Sequence, residues 1–148
     1  KYQEGQGYAQ LYLEWRLPYQ PGELRAVAYD RQGQLVAEDR VVTAGKQAKI
    51  GLHAEKTKLE PDGQDLLYLY FDVLDKDGNW VPSASNQLHF EMEGPARIVG
   101  VDNGRHASRE RYQAQKNGRF KRKAFHGRGV LLVQSLDQVG HVRVKASA

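Results

Sequence analysis

The stretch Gly63-Gln-Asp-Leu-Leu-Tyr-Leu-Tyr-Phe-Asp-Val-Leu-Asp75-Lys-Asp-Gly-Asn-Trp-Val-Pro82 decides the fold of this chain. Leu67, Leu69, Phe71 and Val73 recur at a spacing of two, with Tyr68, Tyr70 and Asp72 between them, so an extended backbone sends the two sets to opposite faces. Asp77-Gly78 supplies a turn, and the chain leaves it through Trp80. One face of this strand is dry and needs a second sheet to cover it.

Working outward, the flanking sequence repeats the pattern. Ala48 to Ala54, Gln87 to Glu93, Ala96 to Val101, Gly129 to Ser135 and His141 to Ala146 are short alternating runs, with Leu88, Phe90 and Met92, and Val142, Val144 and Ala146, on the inward sides. Turns at Pro61-Asp-Gly63, Gly94-Pro95 and Asp102-Asn-Gly104 separate them. About six or seven strands in roughly 100 residues is the size of an immunoglobulin-like antiparallel β-sandwich, and the expected class is all-β. Upstream, Leu11 to Leu17, Glu23 to Tyr29 and Gln34 to Thr43 read as three further strands, after a polar lead-in over residues 1–10. Three strands make too small a sheet to bury a core. The expected division is therefore 1–46, a partial domain, and 47–148, a sandwich with its own core.

Composition bounds the function. No run approaches the ~18 apolar residues of a membrane span, and residues 1–7 lack the apolar centre of a signal peptide, so a mature or excised chain is expected. There is no cysteine, hence no disulfide or thiolate metal site, while the redox compartment stays open. The net charge of +4 conceals an asymmetry: Arg105 to Arg128 contains nine Lys or Arg against one acid, Glu110. Residues 103–127 read as one long basic loop, too polar for the core. Arg105, Arg109, Arg111, Lys121, Arg122 and Lys123 are its candidate interaction residues. Tyr112 and Phe120 interleave with these cations as stacking surfaces do in single-strand nucleic-acid binders, but no nucleic-acid motif accompanies them, and a solvated or interdomain loop is the favoured reading.

The chain holds no catalytic constellation of its own. Asp75-Lys-Asp77-Gly-Asn79 has the look of a calcium loop without its closing glutamate, and a plain hairpin turn accounts for it. Five scattered histidines, His53, His89, His106, His126 and His141, read as solvated surface groups rather than metal ligands. No cofactor is expected. Trp80, Tyr68 and Tyr70 are candidate carbohydrate contacts, because sugars stack their apolar faces on exposed rings; core or strand packing is the plainer reading of the same residues.

Six runs in order resemble the C-terminal region of bacterial β-galactosidases of glycoside hydrolase family 2: Leu17 to Asp30, Val42-Thr-Ala-Gly45, Asp62-Gly-Gln-Asp-Leu66, Val73 to Pro82, Gly100-Val-Asp-Asn-Gly104 and Arg122-Lys-Ala-Phe-His-Gly127. The resemblance implies that residues 11–46 are the last strands of an immunoglobulin-like domain and 47–148 a further C-terminal sandwich. It also implies a parent enzyme that hydrolyses β-galactosides with retention, through two glutamates of an upstream barrel. Neither glutamate is in this chain, which is expected to be inert as a hydrolase, with the upstream catalytic domain as its partner. Two positions depart from the family pattern: Arg105-His106 stands where an Asp-Pro pair is usual, and Phe125-His126-Gly127 where Phe-Asn-Gly is usual. Gly104 and Gly127 are expected at positive φ, where the chain leaves for the loop and returns, with Phe125 as an apolar plug. Two further expectations are a homodimer through the unpaired edge strands of the truncated first domain, and a periplasmic or secreted bacterial location.

Overall fold

A computed structural model describes residues 14–113 and 119–148. The chain forms two compact units, Lys1–Thr43 and Ala44–Ala148. Among the described residues there are nine strands and no helix long and apolar enough to cross a membrane.

The first unit contains an antiparallel hairpin of β1 (Glu23–Tyr29) and β2 (Leu35–Val42), joined at Asp30 to Gln34. Asp30 builds that turn: its carboxylate accepts the N–H groups of Gln32 and Gln34 at 2.9 and 2.8 Å, and its carbonyl accepts that of Gly33. The pairing of Leu24 with Val41 and Ala28 with Ala37 gathers apolar side chains on one face. The other face carries the Arg25–Glu38 and Arg40–Glu23 ion pairs. The expected strand over Leu11 to Leu17 lies partly outside the described residues, as does all of the lead-in over 1–10. Its described part, Glu14 to Leu17, is not a strand, since among the described residues the hairpin sheet holds β1 and β2 alone and that segment has no ladder partner.

The second unit is a sandwich. One sheet has the order β3-β4-β8-β6, with β3 Gln47–Ala54, β4 Leu66–Asp75, β8 Arg128–Ser135 and β6 Ala96–Asp102. The other has the order β7-β5-β9, with β7 Phe120–Lys123, β5 Gln87–Glu93 and β9 Arg143–Ser147. All pairings are antiparallel. The dry face of β4 does what its period required: Leu69, Phe71 and Val73 are buried together with Leu131 and Val133 of β8 and Leu88 and Phe90 of β5. Phe71 and Phe90 meet across the two layers with ring centroids 5.1 Å apart. Ile98, Val101 and Phe120 close the core on the β6 and β7 side.

One expectation is overturned. Residues 103–127 are not a single loop too polar for the core, because β7 lies within them and pairs with β5 through Phe120, Lys121, Arg122 and Lys123. Phe120, Arg122 and Ala124 share the inward parity and are all buried, so two apolar residues carry the arginine between them into the sandwich. Gly104 and Gly127 do take positive φ, 72° and 71°, at the two ends of the segment. Phe125 is half-buried, and the plugging is done by Phe120 and Ala124.

Candidate functional site

The outward face of β4 carries the candidate sugar contacts. Tyr68, Tyr70 and Trp80 remain 42%, 40% and 37% exposed. Tyr68 and Tyr70 alternate with the core residues of β4, and cross-strand register places Leu132 and Val130 beside them on β8 and His53 beside Tyr70 on β3. Trp80 is differently held. It bridges back to Leu74, its Nε1–H donates to the His126 carbonyl at 2.8 Å, and the Arg128 guanidinium lies over its ring at 3.8 Å. Arg128 in turn donates to Asp72 at 2.8 Å, Asp72 lies 3.3 Å from His53, and His53 stacks on Tyr70 at 5.3 Å. Tyr70, His53, Asp72, Arg128 and Trp80 thus form one contiguous row across the sheet, in which one face of the indole is already covered. Among the described residues, Tyr68 keeps its ring without a partner of this kind.

The basic segment divides by parity. Lys121 and Lys123 of β7, with Arg105, Arg109 and Arg111, are exposed. Arg122 is fully buried and so belongs to no surface. Its Nη2 donates to Asp102 at 2.7 Å and to Asn103 at 3.2 Å, its Nη1 donates to the Glu110 carbonyl at 3.1 Å, and its guanidinium sits 4.9 Å from the Tyr112 ring centre. The Glu110 carboxylate lies 3.9 Å from Nε and accepts the Lys123 N–H at 3.2 Å. Asn103 completes the staple by donating to the Lys123 carbonyl and accepting from the Arg105 N–H. A buried guanidinium requires this many acceptors, since an unpaired one is strongly unfavourable. The signal that could have found it is the alternation Phe120, Arg122, Ala124, hidden under the net charge of its neighbours.

The turn after β4 is organised by Asp75. Its carboxylate accepts N–H groups from Gly45, Asp77 and Asn79 at 2.8 to 2.9 Å, and the Asn79 amide at 3.0 Å. These donors, Gly45 and the Asn79 side chain foremost, hold its pKa down at about 2. The oxygens that a calcium ion would need are therefore engaged by the backbone, as in a hairpin turn. Among the described residues no group of three or more His, Asp or Glu is placed to hold a metal ion.

A feature that sequence reasoning missed is a cleft of about 750 Å³ between the β3–β4 connection and the segment leading into β9. Leu52, Leu59, Leu67 and Val144 contribute to its apolar lining, with Lys58 and His141 among its polar residues. It has no local signature, because the residues that line it come from four separate stretches of chain.

Comparison with known proteins follows the same division. The model described as Glycoside hydrolase family 2 C-terminal domain 5 matches residues 50–148, and one for a domain of unknown function (DUF4982) matches residues 1–37. The Beta-galactosidase BoGH2A of Bacteroides ovatus is 36% identical over 138 residues, covering 93% of this chain and 16% of that protein. A putative beta-glucuronidase of Formosa agariphila is 26% identical over 100 residues, covering 68% of this chain and 10% of that protein. A solved glycosyl hydrolase family 2 member from Bacteroides cellulosilyticus superposes with a TM-score of 0.79 at 34% identity, over 90% of this chain and 18% of that one. The chain thus spans less than a fifth of the length of these relatives. It belongs to the glycoside hydrolase family 2 C-terminal domain 5 family, as an all-β chain whose residues 50–148 are that domain and which corresponds to a small part of larger family 2 proteins.

Proposed function

We propose that this chain is the C-terminal accessory region of a β-galactosidase, in which residues 1–46 are the last strands of an immunoglobulin-like domain and 47–148 an immunoglobulin-like sandwich that packs against and positions the catalytic barrel. The observation that carries the reading is the likeness to a β-galactosidase at 36% identity over 93% of the chain, against 26% over 68% for the β-glucuronidase. The exposed apolar face of the β1–β2 hairpin agrees with it. Leu24, Leu35 and Val41 are each more than half exposed, as expected of strands whose remaining domain lies upstream. The parent works with retention through its upstream glutamates, and acts in a periplasmic or secreted setting.

The test is an assay of the complete polypeptide on matched aryl β-galactoside and aryl β-glucuronide. Faster turnover of the galactoside supports the reading; preference for the glucuronide overturns its substrate class. The 148-residue chain alone is expected to read background, and robust turnover by it would overturn the accessory role.

A second reading, weak contact with a galactoside or polysaccharide, draws support from Tyr68 and Tyr70, which keep about two-fifths of their surface exposed on one sheet face. Tyr68→Ala with Tyr70→Ala should then abolish amide shift changes on galactoside titration, while Trp80→Ala contributes less because Arg128 already covers that ring.

A further inference from the structure

We propose that the β7 edge and the segment 103–112 form a binding surface for a carboxylate-bearing, uronate-type polysaccharide. The argument begins with Arg122. The acidic groups of this region, Asp102 and Glu110, are both turned to the buried guanidinium: Asp102 at 2.7 Å, and Glu110 through its carbonyl at 3.1 Å and its carboxylate at 3.9 Å. Their charge is offset by Arg122, although the Asp102 side chain stays 44% exposed, so what the region presents to solvent is predominantly cationic. Arg105, Arg109, Arg111, Lys121 and Lys123 are exposed, and no carboxylate among the described residues pairs with any of them. Several cations elsewhere are paired, Arg25 with Glu38, Lys56 with Asp65, Arg128 with Asp72 and Lys145 with Glu93.

The same contacts fix the backbone beneath these cations. Arg122 and Asn103 tie the segment to β7, and the Ser108 N–H bonds the Arg105 carbonyl. Charges on a preordered backbone lose less entropy when they are bound. Guanidinium groups pair with carboxylates in a fork geometry, which suits three arginines to a chain bearing repeated carboxylates.

Single-stranded nucleic acid would require several ring faces on which successive bases stack. Phe120 is buried in the core, and the Arg122 guanidinium lies against the Tyr112 ring. Tyr112 is still 55% exposed, so the segment offers one partly covered ring rather than the succession of rings on which a run of bases stacks. The choice of a glycan over an acidic protein rests on the membership of a glycosidase family, whereas the cationic surface itself does not.

The test is affinity electrophoresis and titration of the 148-residue chain with polygalacturonate, neutral galactan of similar length and a single-stranded DNA oligonucleotide. Polygalacturonate should bind, with affinity falling as salt rises from about 0.01 M to about 0.15 M and the Debye length shortens from about 30 Å to about 8 Å. Arg105→Gln, Arg109→Gln and Arg111→Gln together should weaken binding about tenfold or more. Lys121→Gln with Lys123→Gln should weaken it as well, and neither variant should change thermal unfolding, because all five side chains are exposed. Arg25→Gln with Arg40→Gln, which removes charge from the hairpin, should leave affinity unchanged. No binding to polygalacturonate at low salt, equal binding by the triple variant, or tighter binding of the oligonucleotide would each overturn the proposal. Because these measurements use a charged polymer and no hydrolysis, their failure leaves the β-galactosidase reading to its own assay.

Discussion

At Asp75, a single carboxylate ties the start of the sandwich to the end of its central strand. Because the folded pKa of about 2 lies below the ordinary 3.8, the stabilisation is fully present above about pH 4 and is lost as pH falls towards 2. Asp75→Asn should lower the melting temperature at neutral pH, and its difference from the unaltered chain should shrink as pH drops through that window; a difference independent of pH would contradict the account. The variant will keep some acid sensitivity of its own, since Asp62, Asp65 and Glu93 are also held low, by the Gln64 N–H, by Lys56 and by Lys145 respectively. His126 offers a second residue-scale test. It stands at φ 50° while its carbonyl serves Trp80, in a conformation that asparagine and histidine tolerate and β-branched residues do not. Thermal or urea unfolding should find His126→Asn close to neutral and His126→Val destabilised by about 1–2 kcal/mol.

Strand β8 depends on what it lacks. Gly129 pairs with Phe71 of β4, and a Cβ at this position would stand 2.1 Å from the Phe71 ring and 2.7 Å from the Asp102 carbonyl oxygen. Gly129→Ala should cost about 1–3 kcal/mol by overpacking. Pairing it with Phe71→Leu should cost less than the sum of the two single changes, because the smaller side chain vacates the contested space; strict additivity in urea unfolding would argue against the contact. At β7 the decisive change is Arg122→Ala, which leaves the Glu110 carbonyl and the buried Asn103 side chain without their donor, while Asp102, 44% exposed, can turn to water. A loss of about 1–3 kcal/mol is expected, with the amides of 103–112 losing hydrogen-exchange protection first.

Over the whole chain, the two units differ in how they are stabilised. The sandwich buries a core contributed by both its sheets, whereas the described residues of the hairpin unit are exposed or at most half-buried. A two-stranded hairpin alone is marginal in water. Amides of β1 and β2 should therefore exchange with solvent far faster than those of β4 and β8. The hairpin also presents Leu24, Val36 and Val41 beside strand edges that have no partner among the described residues. Sedimentation should find concentration-dependent association for the 148-residue chain and a monomer for residues 44–148; a monomer in both cases at high concentration would refute this.

The sequence alone determined the all-β class and most of the strands, because a period of two with Leu67, Leu69, Phe71 and Val73 on one side leaves an extended backbone one way to keep them dry. It also determined the positive φ at Gly104 and Gly127, since the need for glycine there is local. Six motifs in order placed the chain in its family. Only the tertiary structure decided what happens between residues 103 and 127. Burial of an arginine depends on partners brought from β6 and the loop behind it, and a charge count cannot tell a cation facing solvent from one facing Asp102. The same limit applies to Trp80, whose ring is covered by an arginine 48 positions later, and to the cleft, whose walls meet only when the sheets have stacked. Periodicity reports which face a residue occupies, and the fold supplies what lies opposite it.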